Sequence, residues 1–175
     1  MTTRDFKHIV VAGGCFWGVE EYYHRLKGII DTQVGYANGN GDSVTYREVC
    51  SGTTGHVEAV MLTYNQTVIS LDKILEHLFR MIDPTTRNRQ ANDIGTQYRT
   101  GIYYTNDQDN DTINQYIDSI KANYKDTIVT EVLPLENFVV AEPEHQMYLE
   151  GNPGGYCHID FSVIQPNELK EEYLR

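Results

Sequence analysis

The sequence predicts an α/β fold with the element order β-α-β-β-α-β, and three observations carry that reading. Short β-branched runs alternate with stretches of helical apolar spacing. Glycine- and asparagine-rich clusters fall between them, and one segment carries a full apolar stripe with its own start and stop signals. The chain has 175 residues, 40% apolar and 22% charged, which suits one domain over 1–175 with a real hydrophobic core.

"HIVVA" (8–12) reads as a buried first strand. "CFWGVEEYYHRL" follows with Phe16, Val19, Tyr23 and Leu26 near helical spacing, and Gly28 stands where a helix C-terminal glycine would. "IIDTQVGY" (29–36) is the second strand, closed by the loop "GYANGNGDS", and "HVEAVMLTY" (56–64) alternates as a third. Ser70 is an N-cap for the clearest helix, whose stripe is Leu71, Ile74, Leu75, Leu78, Phe79 and Ile82, ended by Pro84. "TGIYYT" (100–105) is the fourth strand. A further helix marked by Ile113, Tyr116, Ile117, Ile120 and Tyr124, and a strand "TIVTEVL" (127–133), are appended. This order matches a split βαβ, ferredoxin-like core with a mixed sheet, an extra helix and strand, and an irregular tail. Residues 84–99 and 141–175 show no periodicity, and long ordered loops in compact domains often carry function.

The formal net charge of −11 argues against a nucleic-acid partner, whose phosphates need clustered Lys and Arg, and against an anionic membrane surface. The opening "MTTRDFKHIVVAGG" has no apolar signal core, and no run approaches a membrane span, so the expected location is the cytoplasm. Cys15, Cys50 and Cys157 are odd in number and far apart, which disfavours a disulfide framework. In a reducing compartment they are reactive thiols or core fillers.

"GGCFWGVE" (13–20) is the most informative stretch. A strand, two glycines and a helix put the Cys15 sulfur at a first turn, where unpaired N–H groups and the helix dipole favour an anion and lower a thiol pKa. An arbitrary cysteine is more often a small buried hydrophobe, but Gly13 and Gly14 allow a ligand close to the backbone. Phe16 and Trp17 are adjacent and cannot both face one core, so at least one lines a surface or pocket. Glu58 shares a strand face with Val60, Leu62 and Tyr64; desolvated there, it would be an acid near neutral pH, although a solvent-facing edge position fits the alternation equally well. "HVE" (56–58) echoes the H-x-E of zinc deaminases, which also need P-C-x-x-C; the chain has no C-x-x-C.

Among thirteen tyrosines, Tyr46 in "TYREVCSG" and Tyr98 in "NDIGTQYRTG" sit in polar segments without core periodicity and suit hydrogen bonding to a substrate oxygen. Asp93 and Arg99 flank Tyr98 and are candidates to orient it. Cys157, in the glycine-rich "NPGGYCHID", suits a mobile second thiol that exchanges with Cys15. Cys50 reads as structural; His24, His145 and His158 read as core or surface residues, and His56 stands beside Glu58 as a possible tuner.

"GGCFWGVE", "TYREVCSGTTGHVEAV", "NDIGTQYRTGIYY" and "GNPGGYC", in this order, resemble the A class of peptide methionine sulfoxide reductases from about residue 8 to 159. The resemblance implies an α/β sandwich around a ferredoxin-like core. It implies Cys15 as nucleophile, Phe16 and Trp17 as the pocket for the sulfoxide methyl, and Glu58 as proton donor. It further implies Tyr46 and Tyr98 on the sulfoxide oxygen, Asp93 in support, and Cys157 as the resolving thiol. The electrons would come from thioredoxin or another external thiol, with no resident cofactor and no metal. The chain departs from the family at "GYANG", at Ile82 where a histidine is frequent, and in having no recycling cysteine after Cys157, which suggests one Cys15–Cys157 disulfide reduced directly by a partner. A thiol peroxidase would not need the aromatic pair or Glu58, and a cysteine hydrolase would need a histidine for Cys15 that the sequence does not supply. A binding module with an inert Cys15 is the reading from another class, separable by slow thiol alkylation.

Overall fold

The structure, a computed structural model, describes residues 5–174; Arg175 and residues 1–4, the start of the stretch read above for an export signal, lie outside it. The elements are β1 (Phe6–Gly13), α1 (Phe16–His24), β2 (Ile29–Ala37), α2 (Tyr46–Cys50), β3 (Val57–Asn65), α3 (Leu71–Met81), β4 (Arg89–Gln90) and β5 (Asp93–Ile94). They continue with β6 (Thr100–Tyr104), α4 (Asp107–Ile120), β7 (Glu131–Pro134), β8 (Phe138–Val140) and α5 (Tyr148–Gly151), followed by a tail of short 3₁₀ turns.

Six strands form one mixed sheet in the order β7-β6-β1-β3-β2-β8, antiparallel throughout except for the parallel β6–β7 pair. α1 carries the chain from β1 to β2 across the intervening β3. Pleating divides the central strands between two apolar layers. Ile9, Val11, Val34, Val60 and Leu62 pack with α1, α3 and α4, while Val10, Ala12, Ala37, Val57 and Ala59 gather under Tyr103, Leu135 and Phe138 on the other face. Both faces of β1 are therefore covered, which is why its sequence is continuously apolar instead of alternating.

The Ser70 cap is present: its Oγ accepts the Lys73 N–H at 3.1 Å, worth about 1 kcal/mol. The buried stripe of α3 includes His77 as well as the apolar positions, and Tyr22 on α1 shares a 2.7 Å hydrogen bond with its Nδ1. α4 begins earlier than its apolar spacing suggests, because Asn106 caps it by accepting the Asp109 N–H at 3.0 Å. The strand expected over 127–133 pairs only from Glu131, where the register with Gly101 begins.

Five elements were not visible in the periodicity. α2 starts with a reciprocal capping box between Thr45 and Glu48, and is too short for an apolar stripe. β8 adds a second extra strand at the β2 edge, so the sheet gains two strands and not one. β4 and β5 make a two-residue ladder inside 84–99, and α5 is a single turn inside the tail; both segments are otherwise irregular, as expected.

Candidate active site

β1 ends at Gly13, and Gly14 turns the chain with a φ of +86° while its missing Cβ leaves room for Gln90, 2.8 Å from where that atom would stand. Cys15 is therefore delivered as the N-cap of α1, without a side-chain cap bond, and is 8% exposed. The first free N–H of the helix, that of Phe16, donates to Glu58 Oε1 at 3.2 Å. Glu58 comes up from the N-terminal end of β3, opposite Tyr36 in the β2–β3 register, and is 1% exposed.

The electrostatics correct one expectation. Burial pushes the Cys15 thiol well above its ordinary range, and the Glu58 carboxyl adds to this; the Trp17 N–H opposes them without winning. The helix start alone does not yield a thiolate in the free protein. Glu58 moves in the complementary direction: burial pushes it up to about 8, against the Phe16 N–H and with help from Asp93. Its burial settles the open choice between a buried and an edge position, and at neutral pH it is mostly a neutral carboxylic acid. Its Oε2 has no hydrogen-bond partner among the described residues.

Tyr46 opens α2 and Tyr98 closes the 3₁₀ turn Thr96–Tyr98. Burial, then the Glu58 carboxyl, hold both phenols well above their ordinary range, so both remain donors. Phe16 is wholly buried, its ring 5.7 Å from Tyr36 and 6.4 Å from Tyr46. Trp17 is the member of the pair that reaches the surface. It stacks on Tyr148 at 3.9 Å and donates its indole N–H to His145 Nδ1 at 3.2 Å.

His145, read from sequence as a core or surface histidine, sits at the hub of this aromatic group, 4.5 Å from the Tyr46 ring and 5.6 Å from Phe16. Tyr36, Glu142 and Tyr148 were also missed. The Glu142 carboxylate accepts the Tyr36 hydroxyl at 2.8 Å and the Tyr46 N–H at 2.9 Å. Burial alone would raise Glu142, but those two bonds hold it below its ordinary value. No local pattern marks these residues; only the Thr45 capping box could have signalled that Tyr46 starts a helix.

Asp93 accepts the Tyr156 hydroxyl at 3.1 Å and exerts its charge on Tyr98 without a recorded bond to it. Arg99 does not orient Tyr98: its guanidinium binds Glu131 at 2.8 Å and the Gly55 and Thr96 carbonyls, stapling β6 to its surroundings. His56 donates from its Nε2 to the Gly41 carbonyl at 3.0 Å and steadies the glycine-rich loop. Cys157 is half-buried, its sulfur lying 2.8 Å from where a Gly18 Cβ would stand on the first turn of α1. Cys50 is exposed, not a core filler, and stands one turn along α2 from Tyr46. All three thiols are free.

A family model described as peptide methionine sulfoxide reductase matches residues 7–174. The chain belongs to the peptide methionine sulfoxide reductase family. It is 56% identical over 153 residues, 87% of this chain and 98% of the relative, to a peptide methionine sulfoxide reductase MsrA of Clostridium botulinum. Its fold superposes on Mxr1 from Saccharomyces cerevisiae in reduced form with a TM-score of 0.85 at 38% identity, covering 89% of this chain and 91% of that one. Mxr1 in complex with Trx2 matches with a TM-score of 0.60 at 28% identity, over 84% of this chain and 87% of that one. In this reductase, Cys15, Phe16, Trp17, Tyr46, Glu58 and Tyr98 converge at the N-terminal end of α1, while Asp93 and Cys157 approach the same helix end from β5 and the tail.

Proposed function

We propose that this reductase converts methionine-S-sulfoxide, free or in oxidised proteins, to methionine, and that thioredoxin restores its thiols. The observation that carries the reading is the neutral Glu58 acid, buried beside a cysteine at a helix start and bounded by aromatic rings. A sulfoxide oxygen leaves only when protonated, so a positioned acid is the group the reaction most needs. The methyl end of the substrate suits the walls of Phe16 and Trp17, and the S=O group suits the donors Tyr46, Tyr98 and Glu58.

The steps balance as follows. The Cys15 sulfur attacks the sulfoxide sulfur while Glu58 gives its proton to the oxygen; transfer of that proton leaves Glu58 anionic, and it recovers a proton from the Cys15 thiol or from water. Attack has joined the two sulfurs; that S–S bond then breaks as the protonated oxygen passes from the substrate sulfur to Cys15, so methionine departs reduced and Cys15 is left oxidised as a sulfenic acid. Cys157 condenses with it to a Cys15–Cys157 disulfide with loss of water. An external dithiol then reduces the disulfide by exchange. Two thiols supply the electron pair, so no resident cofactor or metal enters the scheme.

We place the protein in the cytoplasm, a reading supported by its free thiols, and take it to act as a monomer; no helix among the described residues is long and apolar enough to cross a membrane. The deciding experiment is reduction of the two methionine sulfoxide epimers with dithiothreitol, separated by chromatography. Reduction of the S epimer alone is expected, because the methyl walls and oxygen donors leave one sulfur configuration with an open attack path. Comparable rates on the R epimer would overturn this pocket.

A further inference from the structure

His158 directly follows Cys157 and has no part in the chemistry above. Its side chain is only 4% exposed. Nε2 lies 3.0 Å from the Gly13 carbonyl oxygen, so this nitrogen carries the hydrogen and donates it. The other nitrogen, Nδ1, is turned inward, 3.9 Å from Asp93 Oδ2 and without a hydrogen-bond partner among the described residues. A buried polar atom without a partner is costly, and an apolar residue at this position would avoid the cost.

The other half of the ring explains why a histidine stands there. Gly13 is the last residue of β1, two positions before Cys15. The ring also fills the niche left open at Gly14, with Nε2 3.1 Å from where a Cβ would stand. On the other side of Cys157, Tyr156 donates its hydroxyl to Asp93 at 3.1 Å. Both neighbours of Cys157 are thus fastened to the region around Cys15, while upstream Gly151 and Gly154 have open space around them. The segment is an arm with a fixed tip, not the freely mobile thiol that its glycines suggest.

We infer that His158 is a positioning residue for disulfide closure: its Nε2–H bond to the Gly13 carbonyl holds the Cys157 thiol against the Cys15 turn. The inference rests on the Cys15–Cys157 pairing proposed above. In the step it serves, the Cys157 thiol loses its proton and attacks the Cys15 sulfenic sulfur. The S–O bond breaks as the S–S bond forms, and the leaving hydroxide takes up a proton as water. Cys157 is oxidised and Cys15 reduced, with no other reactant. A thiol held in place acts at high effective concentration, and displacing it by an ångström costs about a hundredfold.

The test follows two steps separately in reductant-free single turnover: methionine release, and disulfide closure by thiol count and peptide mapping, with dimedone trapping the sulfenic acid. His158→Ala should release methionine at close to the wild-type rate but close the disulfide roughly ten- to a hundredfold more slowly, with trapped sulfenic acid accumulating. His158→Gln, which keeps an N–H donor at the depth of Nε2, should recover most of the closure rate. Wild-type closure in His158→Ala, equal slowing of both steps, or a Gln variant no better than Ala would each overturn the role. A wild-type enzyme that forms no Cys15–Cys157 bridge would instead sink the pairing itself, and that arm is read before any variant.

Discussion

The backbone N–H of Phe16 donates to the carboxyl of Glu58 at 3.2 Å, joining the start of α1 to the centre of the sheet across 42 residues of sequence. The first N–H of the helix start is committed to the acid, and the Trp17 N–H beside it is what remains for the Cys15 sulfur. Oε1, as the acceptor, is the carbonyl-like oxygen of the neutral group, which leaves the proton on Oε2, the atom with no partner among the described residues.

Removing that proton should slow the chemical step. Glu58→Gln is expected to lower single-turnover methionine release by roughly 10²- to 10⁴-fold, and Glu58→Asp by less. In the wild type, release limited by this acid should fall as pH rises through about 8, and the fall should vanish in Glu58→Gln. A Gln variant near the wild-type rate would mean that the tyrosines or water supply the proton.

The same carboxyl links stability to pH. Its value rises from an ordinary 4.5 to about 8 on folding, so the native state holds its proton where the unfolded chain releases it. Its contribution is fully present below 4.5 and is lost as pH rises through about 8. Glu58→Gln stays neutral, so its Tm should exceed that of the wild type above pH 8 and match it closely below 4.5. Parallel melting curves across that window, with no widening gap, would show that Glu58 ionises without penalty.

The thiols separate cleanly. Cys15→Ser should fold normally and release no methionine. Cys157→Ser should release about one equivalent without reductant and then stall, with thioredoxin rescuing it poorly. Cys50 is exposed, and Cys50→Ser should turn over like the wild type. A disulfide map after one turnover checks the set: a Cys15–Cys50 bridge would reassign the resolving role.

His145 tests the aromatic wall. His145→Phe keeps a ring among Phe16, Trp17 and Tyr46 but leaves the Trp17 indole N–H without its acceptor. KM for methionine sulfoxide should rise by about fivefold, the worth of one hydrogen bond of about 1 kcal/mol, with kcat little changed. An unchanged KM would place Trp17 outside substrate binding.

The residues legible in sequence were those whose chemistry and local context coincide. Cys15 stands at a strand-to-helix turn, and Glu58 shares an alternating face with Val60 and Leu62. His145, Tyr148 and Glu142 lie in an aperiodic stretch, and only the pairing of β8 with the edge of β2 and the docking of that stretch on α1 bring them to the site. The exposure of Cys50 and its place one turn from Tyr46 emerge only with α2, which is too short to show an apolar stripe. The direction of the Cys15 shift was misjudged for a different reason: a helix start favours an anion, but burial and a neighbouring carboxyl outweigh it, and neither can be weighed without the packed structure.

The bond between Trp17 and His145 spans 128 residues, and this separation has a meaning in time as well as space. At ribosomal speeds of about 5–20 residues per second, roughly 6 to 26 seconds pass between the synthesis of one partner and the other. Through that interval the nascent chain carries Cys15 without the segment that will wall it in. The thiol is most open to stray oxidants while the protein is being made, and the tail that completes the catalyst is also what ends that exposure.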